Sequence, residues 1–246
     1  MDLSHNRHGR EPSWQSSRLA IQERAILRIG IVGGTGAAGS SLALRLSSLG
    51  HEMLLGSRTL EKASGVVDSL RRLPGQIGII EGVVNADAAK GELVFIATPW
   101  DGAESTVGAL AKQLSGKTVV SMVNALMKVG SEMQPVFPAR GSVAQSIQAA
   151  LPSCFVVSAL HHVPAKELGE IGISVESDVL VCSDHADSKK QVMELLDSVP
   201  GLFSLDCGSL ANSGAIEAMT AVLINLNIRY KTRTALRITG LRRNWV

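Results

Sequence analysis

The heptapeptide Gly33-Gly34-Thr35-Gly36-Ala37-Ala38-Gly39 decides the fold of this 246-residue chain. It follows the apolar run 29–32 and precedes the amphipathic segment 40–49, an order that predicts a strand, a glycine turn and a helix. Gly34, Gly36 and Gly39 have the spacing G-x-G-x-x-G, which allows a tight turn, close approach of a pyrophosphate and close helix-on-strand packing. A glycine turn can be merely structural, but the flanking strand and helix favour dinucleotide binding.

The end of the second predicted strand indicates which nucleotide binds. NAD-binding chains usually place Asp or Glu there, about 20 residues after the glycine turn, to hold the ribose 2′-hydroxyl. This chain instead reads Met-Leu-Leu-Gly-Ser-Arg over 53–58, and Lys62 follows one helical turn after Arg58. Ser57, Arg58 and Lys62 can hydrogen-bond to a 2′-phosphate and neutralise it, which favours NADP(H). The alternative is that Arg58 and Lys62 only solvate the start of a surface helix.

Composition and charge exclude several classes of protein. The chain is 45% hydrophobic and 19% charged with a formal net charge of +2, as in a soluble α/β protein, and this charge gives no argument for nucleic-acid binding. The three cysteines, Cys154, Cys182 and Cys207, are scattered and have no CxxC spacing. We therefore expect neither a disulfide framework nor a zinc ribbon, and a reducing cytoplasm as the compartment.

Neither end of the chain carries a membrane signal. Residues 1–25 are polar and lack the apolar core and cleavage site of a secretory signal, so we expect a disordered N-terminal tail. The apolar stretch 215–228 is interrupted by Glu217, Asn225 and Asn227 and is too short to span a bilayer. It predicts a buried or interface helix, and we expect no membrane association.

Strands and helices alternate along residues 26–155. Strand-like runs occur at 28–32, 52–55, 78–83, 93–98, 118–122 and 155–160, with helical patterns between most of them. This alternation predicts a Rossmann-type, doubly wound parallel α/β sheet that binds the nucleotide. The fourth run ends at Thr98-Pro99-Trp100, which should lie at the carboxyl edge where open α/β sheets bind ligands.

The regular alternation of strands and helices changes after residue 160. A loop over 161–164 precedes a short strand (178–182), a helix (187–198), a strand (202–206) and a long final helix. Residues 156–246 are too few for a second large domain. We expect a small C-terminal α/β unit that completes a cleft against the nucleotide edge, as a lid, substrate-binding or dimerisation unit.

Familiar catalytic signatures are missing from the chain. Short-chain reductases deliver a proton with Tyr-x-x-x-Lys, but the only tyrosine is Tyr230 and residue 234 is threonine. The sequence also lacks a Ser/His/Asp hydrolase signature, a paired-carboxylate signature and a metal-binding run such as HExxH. We therefore expect no metal site and no acid/base dyad.

The remaining candidates lie in loops at the strand ends: Thr98-Pro99-Trp100, Asn124, and the loop 158–165 with His161 and His162. A histidine here could orient a substrate or tune its protonation, or it could only cap the loop. Trp100 could stack on a planar ring or lie in the core. Hydride transfer between two redox cofactors needs mainly geometry and excluded water, which agrees with the missing acid or base.

From about residue 29 to 241 the chain resembles the NADPH-dependent reductases of the deazaflavin coenzyme F420, also called F420H2:NADP+ oxidoreductases. Several landmarks occur in order, which is more specific than the glycine motif alone. They are the GGTG turn, LALRLSSLGHE over 42–52, Gly56-Ser57-Arg58, Pro99-Trp100, Gly141-Ser142, the loop 158–165 and the helix 220–231 with Asn225.

The resemblance implies reversible hydride transfer between C4 of NADPH and C5 of the deazaflavin, with NADP(H) and coenzyme F420 as co-substrates. It also implies a homodimer or larger homo-oligomer formed through the C-terminal elements. The turn Gly34, Thr35, Gly36, Ala37, Ala38 and Gly39 would hold the pyrophosphate side, and Ser57, Arg58 and Lys62 the 2′-phosphate. Pro99, Trp100, His161 and Ala165 would border the place where nicotinamide and deazaflavin meet; Thr98, Asn124 and Leu236 complete the expected cofactor-binding set.

Some features depart from the family pattern. The tail 1–25 is an extension, and Ala37-Ala38 replaces polar or bulkier residues, which could alter nucleotide affinity. A basic cluster near the C-terminus could attract the anionic tail of F420, or could only solvate a helix end. It comprises Arg229, Lys231, Arg233, Arg237, Arg242 and Arg243.

Two rival functions stay open from the sequence. An NADPH-dependent reductase of an imine, a flavin or a ferric chelate could use the same nucleotide domain, because loop shape decides the acceptor. A non-catalytic NADP-sensing protein would bind NADPH tightly, would not oxidise it with any deazaflavin, and would present a partner-binding surface on the final helix.

Overall fold

Ten strands lie in the part of the chain that the computed structural model describes, residues 25–73 and 78–241. Eight of these form one sheet in the order β10-β9-β8-β5-β4-β1-β2-β3, and β6 and β7 form a separate hairpin. The tail expected over 1–25 lies outside the described residues except for its last position. The strands are β1 (Arg28–Val32), β2 (Glu52–Ser57), β3 (Ile80–Val84), β4 (Leu93–Ile96), β5 (Thr118–Ser121), β6 (Leu126–Val129), β7 (Glu132–Pro135), β8 (Phe155–Ser158), β9 (Ser177–Ser183) and β10 (Leu202–Asp206).

Helices cover both faces of the sheet. Alternate residues of one strand therefore enter different cores: Phe95 of β4 packs in the cluster with α1, α2 and α8, whereas Val94 and Ile96 pack in the cluster with α3 to α6. This explains why the strand is apolar throughout. The helices are α1 (Ala37–Ser48), α2 (Leu60–Arg71), α3 (Asn85–Ala88), α4 (Ala103–Ala109), α5 (Ala111–Leu114), α6 (Val143–Ala150), α7 (Ala165–Gly169), α8 (Ala186–Leu196) and α9 (Ser213–Tyr230).

The strand order reverses between β1 and β4. From β1 the chain continues outward through β2 and β3, and from β4 it continues the other way through β5 and β8, all in parallel. Such a reversal leaves a crevice at the carboxyl ends of the two central strands, because the following connections go to opposite sides. The predicted α/β class, the doubly wound and mostly parallel sheet, and the long C-terminal helix are confirmed.

The last two strands run in the other direction. β9 pairs antiparallel with β8, with Val157 opposite Ser183, and β10 pairs parallel with β9. The sheet is continuous from the predicted nucleotide-binding segment 26–155 into the predicted C-terminal unit 156–246.

Some elements differ from the sequence prediction. The hairpin β6–β7 was not predicted; its two-residue turn begins at Gly130, whose φ of 59° suits glycine. The short helix α7 was also missed. In the predicted runs 93–98, 118–122 and 155–160, the strands end at residues 96, 121 and 158. The chain leaves the hydrogen-bonded ladder there, at the carboxyl edge of the sheet.

Helix α9 combines buried and exposed apolar residues. Ile216 and Ala221 are buried, whereas Val222, Ile228 and Tyr230 are exposed. Asn225 fixes the hairpin to this helix, since its side chain donates to the carbonyl of Met133 and accepts from the amide of Met133, both at 2.8 Å. Among the described residues no helix is both long and apolar enough to cross a membrane.

Candidate active site

The glycine turn joins β1 to α1 as the motif predicts. Gly33 is the residue with positive φ, at 71°. The amide of Gly34 donates to the carbonyl of Gly56 at 2.9 Å, which places the turn beside the end of β2. A Cβ on Gly39 would lie 2.6 Å from the Cα of Gly34, so helix and strand pack here without room for a side chain. Gly36, in contrast, faces open space.

The N-terminus of α1 is free to bind an anion. Gly36 is the N-cap and carries no side chain, and the first turn contains no acidic residue. Within the described residues the amides of Ala37 and Ala38 have no hydrogen-bond partner, and both residues are exposed. Unpaired N–H groups at the positive end of a helix dipole are a site for phosphate.

The end of β2 carries positive charge beside this turn. Ser57 is buried at the last strand position, and Arg58 and Lys62 are exposed. Thr59 caps α2 by accepting from the amide of Lys62, which sets that side chain in the first helical turn. In the described ranges neither Arg58 nor Lys62 has a carboxylate partner. Both cations are therefore available to a ligand.

Asn85 was missed in the sequence. It begins α3 directly after β3, and its Oδ1 accepts from the amide of Gly33 at 2.9 Å. Its position at the carboxyl end of a strand, as for Asn124, was the available signal. Asn85 holds the glycine turn against the third strand.

The segment after β4 closes the other side of the crevice. Thr98 lies against the turn, since a Cβ on Gly33 would be 2.6 Å from its Cγ2. The hydroxyl of Thr98 is buried and has no hydrogen-bond partner within the described residues. Pro99 is exposed, and Trp100 begins a 3-10 turn in which it is half-buried against the core cluster on the α3–α6 side.

A hydrogen-bond network holds His161 in the loop after β8. Asn124 Nδ2 donates to the carbonyl of His161 at 2.8 Å, so Asn124 Oδ1 accepts from His161 Nδ1 at 3.0 Å. His161 Nε2 therefore accepts from the hydroxyl of Ser158 at 2.7 Å. Thr220 of α9 also donates to the carbonyl of His161 at 2.9 Å. Both ring nitrogens of His161 are occupied.

Burial keeps this histidine neutral. His161 is 4% exposed, and desolvation, with a smaller contribution from His162, lowers its pKa from 6.5 to about 3. The preceding residue, Leu160, has a φ of 65°, which is unusual for a residue other than glycine. Such strain persists where the surrounding contacts fix the backbone, as the network of Asn124 and Thr220 does here.

His162 has one free acceptor. Its Nε2 donates to the carbonyl of Asp178 at 2.9 Å, so Nδ1 carries a lone pair. Within the described residues that buried Nδ1 atom has no partner. Burial lowers the pKa of His162 as well.

A cavity of about 480 Å³ opens between α7 and α9. We call it the α7–α9 cavity. It is lined by residues 161–167, by Thr220, Leu223, Ile224 and Asn227 of α9, and by residues 232–234.

The C-terminal segment folds back over this cavity. The chain reverses at Lys231, where φ is 50°, and Asn227 Oδ1 accepts from the amide of Thr234 at 2.6 Å. Asp178 of β9 then pins the segment: its amide donates to the carbonyl of Leu236 at 2.7 Å, and its carboxylate accepts from the amide of Ile238 at 2.5 Å. Leu236 is not among the described residues that line the cavity.

The basic cluster is largely ion-paired. Arg229 pairs with Glu132, Arg237 with Glu176, and Arg233 with Glu167 at 3.1 Å. Arg242 and Arg243 lie outside the described residues. Because Arg233 and Glu167 both line the α7–α9 cavity, their ion pair forms part of its wall.

The structure thus arranges the expected residues in two groups along the carboxyl edge of the sheet. The glycine turn, Ser57, Arg58, Lys62 and Thr98 surround the ends of β1, β2 and β4. Asn124, His161 and Ala165 surround the ends of β5 and β8, next to α9. Pro99 and Trp100 lie on the connection after β4, between the two groups. Leu236 lies in the C-terminal segment, where its carbonyl accepts from the amide of Asp178 in β9.

Comparison with known proteins agrees with this arrangement. A family model described as "NADP oxidoreductase coenzyme F420-dependent" matches residues 28–125, from β1 to the end of β5. The F420-dependent NADP reductase of Methanocaldococcus jannaschii is 39% identical over 222 residues, covering 87% of this chain and 99% of that protein. The chain belongs to the F420-dependent NADP reductase family.

Other members of the family and solved structures are also similar. The F420-dependent NADP reductase of Methanothermobacter thermautotrophicus is 33% identical over 223 residues, covering 88% of this chain and 96% of that protein. A crystal structure from Arthrobacter sp. FB24, provisionally assigned as an F420-dependent NADP reductase, superposes with a TM-score of 0.74. At 24% identity, over 86% of this chain and 100% of that one, it supports the fold. An alignment over 87% of this chain includes the His161 loop as well as the glycine turn.

Proposed function

We propose that this reductase catalyses reversible hydride transfer between NADP(H) and coenzyme F420 at the carboxyl edge of its sheet. The observation that carries this proposal is the placement of two binding surfaces on either side of one strand-order reversal: a free helix N-terminus with unpaired cations, and the α7–α9 cavity. Family membership supports the choice of the two substrates.

The first surface fits NADP(H). The free amides of Ala37 and Ala38 would bind the pyrophosphate, with Thr35, Gly36 and Gly39 shaping the turn around it. Arg58 and Lys62, with Ser57, would bind the 2′-phosphate, since two unpaired cations suit a dianion and no carboxylate stands at the end of β2 to bind a free 2′-hydroxyl.

The second surface fits a flat heteroaromatic ring. The cavity combines apolar walls, such as Leu223 and Ile224, with polar side chains of Thr220 and Asn227. The place where nicotinamide and deazaflavin meet would be bordered by Thr98, Pro99, Trp100 and Ala165. Leu236, which is hydrogen-bonded to Asp178 of β9, would support it. Pockets of this kind bind small molecules through apolar contact and a few polar groups that fix orientation.

The residues of the site act by positioning. When bound together, the two substrates supply the chemistry, because a hydride with its electron pair passes between C5 of the deazaflavin and C4 of the nicotinamide. His161 is neutral and saturated with hydrogen bonds, so its role is to hold the loop 158–165 through Ser158 and Asn124. Holding two reactants at near-attack distance with water excluded accounts for catalysis without an acid or base.

We further propose a homodimer formed through α9. Val222, Ile228 and Tyr230 are 57%, 55% and 73% exposed along this helix, and a helix with several exposed apolar side chains is a candidate interaction surface. The three cysteines are free, which supports a reducing cytoplasm as the location.

A spectroscopic assay tests the proposed function. Purified protein is mixed with NADPH and oxidised F420, and the loss of deazaflavin absorbance is followed, with NADH as a parallel donor and with flavin mononucleotide and a ferric chelate as parallel acceptors. We expect rapid bleaching of F420 with NADPH only. Tight NADPH binding with no bleaching would refute the deazaflavin assignment, and turnover only with flavin or ferric chelate would favour the rival reductase.

A further inference from the structure

A buried arginine joins the nucleotide-binding helix to the wall of the α7–α9 cavity. Arg45, in the last turn of α1, is 3% exposed. Its Nε donates to the carbonyl of Leu168 at 2.9 Å, and its Nη2 contacts the carbonyls of Glu167, Glu170 and Ile173 at 3.1, 2.7 and 3.1 Å. In the described ranges it has no carboxylate partner. The Nε and Nη2 atoms of the guanidinium therefore bind one stretch of backbone.

These carbonyls belong to the C-terminal end of α7 and the loop that follows it. The last carbonyls of a helix have no partners within the helix and form the negative end of its dipole. A planar guanidinium with several N–H groups can bind a number of them at once, which a lysine ammonium cannot match in geometry. A buried cation without an acid is costly unless carbonyls surround it, so the contact has a demanding geometry.

The two helices also touch directly at this point. A Cβ on Gly169 would lie 2.8 Å from Ser41 Oγ and 3.2 Å from Ser41 Cβ. The end of α7 therefore rests on α1, and any side chain at residue 169 would push it away.

The opposite ends of both helices form the proposed binding surfaces. The N-terminus of α1 carries the free amides of Ala37 and Ala38, and residues 164–167 at the start of α7 line the cavity. We propose that Arg45 is a positioning residue that fixes α7 on α1 and thereby holds the cavity wall in place for the deazaflavin. This inference rests on the proposed function.

Equilibrium binding tests this role. The dissociation constants of NADP+ and of oxidised F420 are measured for the full-length wild type, Arg45→Met, Arg45→Lys and a control, Arg71→Met. Arg71 occupies the corresponding last turn of α2 but is exposed; it donates to the carbonyl of Ile80, pairs with Asp68 and does not line the cavity.

We expect Arg45→Met to weaken F420 binding about tenfold and NADP+ binding less than about twofold, since the wall loses its preorganisation while the phosphate site stays intact. Arg45→Lys should recover part of the loss, and KM for F420 should rise more than kcat falls. A merely structural role would reduce the active fraction and the melting temperature without this separation of the two substrates.

A second variant covers the case in which Arg45→Met does not fold. Gly169→Ala keeps Arg45 but forces the end of α7 away from Ser41, and we expect the same selective loss of F420 affinity. Unchanged F420 affinity in both variants, or equal losses in Arg45→Met and Arg71→Met, would overturn the inference alone. A wild type that binds NADP+ but not F420 would overturn the proposed function and this inference with it.

Discussion

His161 Nε2 lies 2.7 Å from Ser158 Oγ, three residues earlier in the chain. The contact gives the ring one fixed neutral tautomer, with Nδ1 protonated toward Asn124. The two residues close the loop at the end of β8 on itself. This loop is the wall of the α7–α9 cavity nearest the strand edge.

His161 should make folding stability depend on pH. Its pKa is lowered to about 3 in the folded protein, so below pH 6.5 the unfolded chain binds more protons than the folded one. The His161 contribution to the free energy of unfolding therefore falls as pH drops below 6.5, by up to about 1.4 kcal/mol per pH unit. In urea unfolding at pH 4.5–8, the stability difference between wild type and His161→Gln should shrink toward acid pH. A constant difference would contradict a buried neutral ring.

Glu217 should act in the opposite sense. Its carboxylate accepts from the amides of Val143 and Ala144 at the start of α6, and burial raises its pKa from 4.5 to about 7. Between these values the folded state binds more protons, so its contribution to stability is present below pH 4.5 and is lost as pH rises through 7. Glu217→Gln should therefore gain stability relative to wild type from pH 5 to pH 8.

The Glu217 experiment has an internal control. Glu194→Gln removes an exposed carboxylate on α8 that pairs with Lys190 at 3.9 Å. We expect little change in its stability difference from wild type across the same pH range. If Glu217→Gln behaves in the same way, Glu217 ionises as an ordinary carboxylate.

Arg58→Ala should discriminate between the nucleotides. Removing a guanidinium from a phosphate deletes a charge-assisted interaction that NADH does not make, so KM for NADPH should rise roughly 10- to 100-fold. KM for NADH should change little. Steady-state kinetics with both donors measure this, with Arg72→Ala, an exposed arginine at the other end of α2, as control. Equal effects on both nucleotides would mean that the 2′-phosphate lies elsewhere.

The roles of the second and third glycines of the motif, Gly36 and Gly39, should separate by mutation. A Cβ at residue 39 meets the backbone of Gly34, which cannot move aside, so Gly39→Ala should destabilise the fold by about 1–3 kcal/mol. Gly36→Ala meets no protein atom within 4 Å and should melt like wild type, yet weaken NADPH binding because its methyl group occupies the space of the pyrophosphate. Thermal melting and NADPH titration give both results. Normal NADPH affinity in Gly36→Ala would move the pyrophosphate away from this turn.

Charges on α9 should dissociate the proposed dimer. Val222→Glu and Ile228→Glu each place a carboxylate at an exposed apolar position of α9, and we expect the mass in light scattering to fall to that of the 25.9 kDa chain. Ile79→Glu, at an equally exposed apolar residue before β3, is the control and should keep the wild-type mass. A wild type that is already monomeric would refute the dimer.

Much of the nucleotide half could be predicted from the sequence. The turn, the flanking strand and helix, and the lack of an acid after β2 are all properties of contiguous residues. Their geometry follows from local rules: glycine permits the turn, alternation of strands and helices gives parallel pairing, and the helix start leaves amides unpaired. The positive φ lies at Gly33, one residue before the three glycines of the motif.

The part of the site proposed to bind F420, the His161 loop and the α7–α9 cavity, depends on contacts between distant segments. The network of His161 joins residues 37 and 59 positions apart, Asn124 and Thr220, and Arg45 reaches a carbonyl 128 positions away. No periodicity records such pairs, because each arises only when the sheet brings separate strand ends to one edge. Contiguous residues were therefore enough to predict the fold class, the glycine turn between β1 and α1, and NADP(H) as the nucleotide. The folded structure was needed to show that His161 is buried with both ring nitrogens hydrogen-bonded, that β9 and β10 reverse direction, and that Arg45 of α1 donates to carbonyls at the end of α7. Burial and long-range hydrogen bonds are consequences of packing, so no stretch of sequence contains them.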